Sequence, residues 1–72
     1  MNNSERLKEI INSSGYKIVY LANGIGLTYQ GFVNKINDIS RFKAYEIGKI
    51  CELLKINDTT RNEIFFNLES ED

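Results

Sequence analysis

The sequence predicts an all-α domain, and three observations support this fold class. In successive segments the apolar residues recur at i, i+3, i+4 and i+7, the spacing that places them on one face of a helix. No segment shows sustained alternation of apolar and polar residues, so strands are not expected. The connections between segments are short, which makes consecutive helices fold back on one another into a compact bundle.

The first two helices are expected from about Ser4 to Ser13 and from about Lys17 to Asn23. Gly15 follows the first helix and suits the left-handed conformation in which many helices end. Each helix offers one apolar stripe to the core. The stripes are Leu7, Ile10 and Ile11 in the first helix and Ile18, Leu21, Ala22 and Ile25 in the second.

The third helix is expected from about Tyr29 to Asn37. Thr28 precedes it and is a favoured N-cap residue, because a threonine hydroxyl accepts a hydrogen bond from a backbone N–H of the first turn. Phe32 and Ile36 are four residues apart and therefore share the inner face of this helix.

The fourth and fifth helices are expected from about Lys43 to Lys55 and from about Asp58 to Leu68. Asn57 or Asp58 caps the fifth helix, since both side chains carry an acceptor oxygen. Both helices again show an apolar stripe at helical spacing. The stripes are Ile47, Ile50, Cys51 and Leu54 in the fourth helix and Ile64, Phe65 and Leu68 in the fifth.

Length and composition indicate one domain, residues 1–72, whose acidic end at residues 69–72 is expected to be a frayed tail. A single cysteine, Cys51, excludes an internal disulfide, and its place on an inner stripe predicts a buried apolar role. No apolar run approaches the roughly 20 residues that span a bilayer. The polar start, MNNSERLKE, lacks the apolar segment of a signal peptide, so a cytoplasmic protein is expected.

The chain lacks the residue types that catalytic and metal-binding sites most often use. The chain has no histidine and one cysteine. It therefore lacks the usual general base, the commonest metal ligand and the ligands of a structural zinc site. We expect no enzymatic activity, no metal and no cofactor.

Charge is distributed unevenly along the chain. The net charge of −1 by itself argues against a nucleic-acid partner, but residues 1–68 carry nine basic and seven acidic side chains. Between Lys17 and Lys43, four basic side chains accompany one acidic side chain, Asp38. A phosphate backbone would interact with this local positive charge and not with the net charge of the chain.

The segment ANGIGLTYQGF, Ala22 to Phe32, holds three of the five glycines. A phosphate-binding loop does not fit, because the glycine spacing matches neither dinucleotide nor Walker motif and no strand precedes it. A flexible linker does not fit either, since apolar Ile25 and Leu27 flank Gly26. A tight turn between two helices fits best, with Gly26 at positive φ. Such a corner would explain these residues without any DNA-binding function.

The segment from Leu21 to Phe32 resembles the helix-turn-helix core of the Cro/phage-repressor (XRE-like) family. The similarity lies in LAxxIGLT followed four residues later by phenylalanine. The succession SSGYKIVYLANGIGLTYQGFVNKIN, FKAYEIGKICELL and RNEIFF resembles small phage Cro-like regulators of low-GC Gram-positive bacteria, from about Ser4 to Leu68. The resemblance implies a compact five-helix lambda-repressor-like DNA-binding domain with a helix-turn-helix.

The resemblance also implies that the third helix enters the major groove with its N-terminal residues toward the bases. Gln30 and Asn34 are suited to paired hydrogen bonds with adenine, and Val33 to a thymine methyl group. Ordinary solvent-facing polar residues are the alternative for Gln30 and Asn34. The expected base-contacting residues are Thr28, Tyr29, Gln30, Val33 and Asn34.

Phosphate contacts are expected from the start of the second helix, from Lys35 in the third helix, and from the residues that bracket the loop before the fourth helix. Arg41 is the strongest individual candidate, since guanidinium geometry suits phosphate. A solvated charged surface is the alternative for any single lysine. The expected phosphate-contacting residues are Lys17, Lys35, Asn37, Ser40, Arg41 and Lys43.

Phe65 and Phe66 are adjacent on the fifth helix and point about 100° apart, so one narrow core stripe does not hold both. They are either a wide core face or part of a dimer interface. A single short recognition helix reads only a few base pairs, which favours two copies on a palindrome. We therefore expect a homodimer, at least on DNA, with Phe65 and Phe66 at the interface.

The resemblance thus implies a sequence-specific double-stranded DNA-binding transcriptional regulator, namely a phage or prophage Cro-type repressor on a palindromic operator. The rival is a protein-binding adaptor, antirepressor-like or antitoxin-like, that keeps the helix-turn-helix fold. The near-neutral net charge favours this rival, whereas outward Gln30, Val33 and Asn34 favour DNA. An enzyme is the third alternative.

Overall fold

The structure, a computed structural model, describes residues 3–66. Over this range the predicted all-α fold is confirmed: five α-helices and one short 3-10 helix are present, and no strand. The helices are α1 Asn3–Ser14, α2 Ile18–Ile25, α3 Tyr29–Asn37, α4 Ala44–Leu54 and α5 Asp58–Phe65, and the 3-10 helix Ile39–Arg41 lies between α3 and α4.

Local capping sets most of the helix boundaries. The hydroxyl of Thr28 accepts a hydrogen bond from the backbone N–H of Gly31 at 3.0 Å, as predicted, and α3 begins directly after it. The side chain of Asn57 accepts from the backbone N–H of Thr60 at 2.8 Å and so caps α5. Gly15, with φ of 81°, follows the end of α1. The predicted end of the fifth helix, Leu68, lies outside the described residues.

The predicted turn between α2 and α3 is also confirmed. Gly26 has φ of 89°, a conformation that strains other residues. The carbonyl oxygen of Ala22 accepts hydrogen bonds from the N–H groups of Gly26 at 3.0 Å and Leu27 at 2.9 Å, which closes the end of α2. Ala22 itself is completely buried.

Every helix contributes to one core. Three aromatic rings connect its parts: the centroids of Phe32 and Phe42 are 6.2 Å apart and those of Phe42 and Phe65 are 5.4 Å apart, both edge to face. Such pairs add about 0.5–1.5 kcal/mol to the burial of their area. The buried apolar residues are Leu7, Ile11, Leu21, Ala22, Ile25, Phe32, Ile36, Phe42, Ile47, Ile50, Cys51 and Ile64.

Gly24 explains how α4 comes close to α2. A Cβ atom at this position would lie 2.8 Å from Cδ1 of Leu53, which is shorter than a normal contact. A glycine inside a helix is less favourable than alanine by up to about 1 kcal/mol, so its presence near the end of α2 calls for a structural reason. The close approach of Leu53 adds a packing reason for glycine there.

Two long-range contacts tie α1 to the ends of its neighbours. The hydroxyl of Ser4 donates a hydrogen bond to the backbone carbonyl of Ile36 in the last turn of α3. The guanidinium of Arg6 pairs with the carboxylate of Glu63 on α5 at 3.0 Å, and both side chains are about one-third exposed. The Ser4 contact holds the C-terminal end of α3 against the body of the domain.

Candidate nucleic-acid interface

The exposed face of α3 carries polar side chains in its first two turns. Tyr29, Gln30 and Asn34 are exposed, in agreement with the outward positions expected for base-contacting residues. Thr28 is exposed as well, but its hydroxyl oxygen already accepts the N–H of Gly31. Its remaining capacity is one O–H donor and one lone pair.

Gln30 and Asn34 interact with each other. Nε2 of Gln30 donates a hydrogen bond to Oδ1 of Asn34 at 2.9 Å, one helical turn along the same face. Each carboxamide keeps groups free for a base edge: Gln30 retains its carbonyl oxygen and one N–H, and Asn34 retains its NH2 group. The pair therefore presents acceptor and donor together, the combination that the adenine edge complements.

Val33 is not fully outward, contrary to the expectation. It is half-buried and lines a pocket together with Ile11 of α1 and Ile18 of α2. The reason is the rotation of α3: with Phe32 and Ile36 buried, residue 33 lies at the border of the inner face. Contact between Val33 and a thymine methyl group has correspondingly less support than the contacts of its exposed neighbours.

Lys35 is mostly buried and paired within the domain, and its predicted phosphate contact stays a prediction. Its Nζ atom lies 2.6 Å from Oε1 of Glu46, and only 17% of its side chain is exposed. The ammonium is committed to this carboxylate because α3 and α4 bring the two side chains together. The positive charge of Lys35 is therefore paired with the carboxylate of Glu46 within the domain.

Glu46 is the buried polar residue of the described core, and it was not among the residues singled out from the sequence. Its side chain is 2% exposed, and Oε1 accepts hydrogen bonds from Nζ of Lys35 and from the backbone N–H of Lys43 at 2.9 Å. The available signal was its position three residues after Lys43, where a glutamate reaches back to the N-cap N–H.

The pKa of Glu46 is set by opposing effects. Burial raises the pKa by disfavouring the charged form. The hydrogen bond from Lys35, the backbone N–H of Lys43 and the positive charges of both lysines act in the other direction. Together they outweigh burial, and the pKa of Glu46 lies below its ordinary value of 4.5. Glu46 is consequently charged at neutral pH and holds Lys35 in place.

Three of the predicted phosphate-binding cations remain exposed. Lys17 precedes α2, Arg41 ends the 3-10 helix and Lys43 precedes α4. Between residues 3 and 66 none of the three is within ion-pair distance of a carboxylate. Their side chains are therefore exposed and are not engaged in an ion pair within this part of the chain.

Asn37 and Ser40 are the two uncharged candidates for phosphate contacts. Asn37 is exposed at the last residue of α3. Ser40 is exposed, but its hydroxyl donates a hydrogen bond to Oδ1 of Asp38 at 2.7 Å. Ser40 would have to give up this bond to donate to a phosphate, and the Asp38 carboxylate would repel that phosphate.

Phe65 is partly buried and packs against the core, and its predicted place in a dimer interface stays a prediction. Its ring packs edge-on against Phe42, which the sequence could not show because the two residues are distant along the chain. Phe66 is 46% exposed, and the guanidinium of Arg61 lies 6.0 Å from the centre of its ring. Phe66 is thus the exposed apolar residue at the end of α5.

Three exposed tyrosines, Tyr16, Tyr20 and Tyr45, were not among the residues singled out from the sequence. The rings of Tyr16 and Tyr20 stack with their centroids 5.1 Å apart, and Val19 is exposed between them along the chain. Tyr45 on the first turn of α4 is 59% exposed. The spacing of Tyr16 and Tyr20, four residues apart and off the apolar stripe of α2, was the available signal.

Cys51 is buried on α4, as predicted, and burial raises the pKa of its thiol. Over residues 3–66, no group of three or more histidine, cysteine, aspartate or glutamate side chains is arranged to hold a metal ion. In the same part of the chain, no helix has the length and apolar character needed to cross a membrane.

A scan against protein-family models finds no match to this chain, and searches of the curated proteins and of the solved structures find none either. The similarity to the Cro/phage-repressor family therefore depends on the residues quoted from the sequence.

Proposed function

We propose that this protein is a sequence-specific double-stranded DNA-binding transcriptional regulator, a phage or prophage repressor of the Cro type that occupies a palindromic operator. The observation that carries the proposal is the hydrogen-bonded pair of exposed carboxamides, Gln30 and Asn34, on a helix that follows a tight corner. A side-chain amide is the group best suited to read adenine in the major groove.

Exposed basic residues support the same function. Lys17 and Lys43 are exposed at the residues that precede α2 and α4, and Arg41 is exposed between α3 and α4. Phosphate contacts from such residues fix the position of a protein on the duplex, and base contacts then specify the sequence. Tyr29, exposed at the first residue of α3, is suited to either kind of contact.

Two copies of the chain would act together on DNA. One recognition helix reads too few base pairs for an operator, whereas two helices related by a two-fold axis read half-sites with centres about 34 Å apart. Phe66 is the contact we propose for the second copy, since it is an exposed aromatic residue at the end of α5.

A second candidate function is protein binding by an adaptor that keeps this fold. The stacked, exposed pair Tyr16 and Tyr20 with Val19 favours it, because aromatic residues are enriched in protein interfaces. The loss of Lys35 to an internal ion pair also reduces the positive charge offered to DNA.

Selection from random duplex DNA followed by titration at several salt concentrations separates the two functions. DNA binding predicts an enriched palindromic sequence and an affinity that falls steeply with salt. Arg41→Ala should reduce the slope of log affinity against log salt by about 0.9 and weaken all sequences alike. Lys49→Ala, which removes an exposed cation from α4, is the matched control and should leave the slope unchanged. Absence of any enriched sequence would favour the adaptor.

A further inference from the structure

A pocket of about 210 Å³ lies between α1, α2 and α3. Its apolar wall is formed by Ile11, Ile18, Val33 and Ile36, so each of the three helices contributes at least one aliphatic side chain. Most of the exposed lining is apolar, and that part of the surface forms no hydrogen bonds with water. The pocket is therefore better suited to an apolar group than to ordered water.

The three remaining lining residues are polar: one is a lysine and two are asparagines. Lys8 and Asn12 are one helical turn apart on the same face of α1, and Asn37 is the last residue of α3. Lys8 is exposed, and between residues 3 and 66 it has no carboxylate within ion-pair distance. Among residues 3–66, no acidic side chain lines the pocket. The charged part of a complementary ligand is thus a single anion that accepts hydrogen bonds.

The size of the pocket limits the apolar part of the ligand. An enclosed apolar cavity of about 150 Å³ binds benzene. A volume of about 210 Å³ accommodates a ring of that size with a short extension, but not the larger body of a drug-sized ligand. One cation does not balance a phosphate or a dicarboxylate, which carry more charge.

We propose that this pocket binds a small monocarboxylate with a compact apolar body, for which phenylacetate is the probe. The body packs between Ile11 and Ile18 of the first two helices and Ile36 of the third. The carboxylate accepts hydrogen bonds from the Lys8 ammonium and from the amide of Asn12 or Asn37. Because the walls belong to three helices, such a ligand adds packing between α3 and the rest of the domain.

Titration of the intact protein with phenylacetate, followed by backbone amide NMR shifts and by thermal melting, tests this site. We expect saturable shifts confined to α1, α2 and α3 around the pocket, and a rise in melting temperature. Benzyl alcohol, which has the same ring without the charge, should bind about tenfold more weakly, since it loses the charge-assisted hydrogen bonds. The site does not depend on DNA binding, so failure of the proposed function leaves this experiment unaffected.

Two variants make the test specific. Lys8→Met should weaken phenylacetate about tenfold, whereas Lys49→Met, the same change at an exposed lysine of α4, should have no effect. Ile18→Phe fills the pocket and should abolish binding. Lack of saturation at about 10 mM phenylacetate, shifts located elsewhere, or equal affinity of the Lys8→Met protein would each overturn the proposal.

Discussion

Nζ of Lys35 and Oε1 of Glu46 are 2.6 Å apart and join α3 to the first turn of α4. The carboxylate is almost completely buried and also accepts the backbone N–H of Lys43. One buried acid therefore fixes the C-terminal half of the proposed recognition helix and the start of the next helix. The same bond removes Lys35 from the surface that would meet DNA.

Glu46→Gln should destabilise the domain by about 2 kcal/mol. The substitution keeps the shape of the side chain but leaves the ammonium of Lys35 without its counter-ion in a largely buried position. Breaking a fully buried pair costs about 3–5 kcal/mol, and the partial exposure of Lys35 reduces this figure. Urea unfolding measures the change. Arg6→Met, which breaks the more exposed pair with Glu63, should cost less than about 1 kcal/mol. Parental stability of Glu46→Gln would contradict this role of the ion pair.

Stability should fall with acid in a manner that depends on Glu46. The pKa of this carboxyl is lower in the folded protein than its ordinary value of 4.5. Its contribution is therefore fully present above pH 4.5 and is lost as the pH falls through the folded pKa. Urea midpoints measured at a series of pH values should show a smaller acid loss for Glu46→Gln than for the parent. Parallel curves for the two proteins would contradict this assignment.

Adding a side chain at Gly26 and at Gly48 should change the stability of the domain in opposite directions. Neither has an atom near the position of an added Cβ, but Gly26 has φ of 89° and Gly48 is within α4. Gly26→Val should cost more than about 1 kcal/mol because of backbone strain. Gly48→Ala should stabilise the helix by about 0.5–1 kcal/mol. Thermal melting of both proteins checks the pair, and an unchanged melting temperature for Gly26→Val would be incompatible with the observed corner.

Substitution of the carboxamide pair should change DNA specificity without changing stability. Gln30→Ala or Asn34→Ala should each cost about 1–3 kcal/mol on the best site and relax the preference at one or two base pairs. Because the two side chains are hydrogen-bonded to each other, the double variant should cost less than the sum of the single variants. Thr59→Ala on α5 is the exposed polar control. Specificity that survives in the double variant would exclude these residues as the readers.

Dimerisation on DNA should depend on Phe66. Phe66→Glu should leave the monomer stable to within about 0.5 kcal/mol, because the side chain is exposed, and should prevent a second copy from binding cooperatively. Thr59→Glu adds the same charge to an exposed residue of the same helix and should not affect assembly. Sedimentation with and without operator DNA measures the stoichiometry. A strictly 1:1 complex of the parent on a palindromic site would refute the proposed dimer.

The sequence by itself determined the features that depend on neighbours within a few residues. Apolar spacing indicated all five helices, and Thr28 and Asn57 marked two helix starts correctly, since an N-cap interacts with a backbone group three residues away. Gly26 marked the corner because positive φ is a local property of the backbone. The same local rules placed Tyr29, Gln30 and Asn34 on the exposed face of α3.

Only the tertiary structure decided the contacts of Lys35, Phe65 and Val33, which are partly buried residues. Lys35 lies near Glu46, and Phe65 near Phe42, because helices that are separate in the sequence pack side by side. Val33 turned toward the pocket for the same reason, since α1 and α2 cover one side of α3. Helical spacing defines which residues share a face, but the packing of neighbouring helices determines how much of each face stays in water.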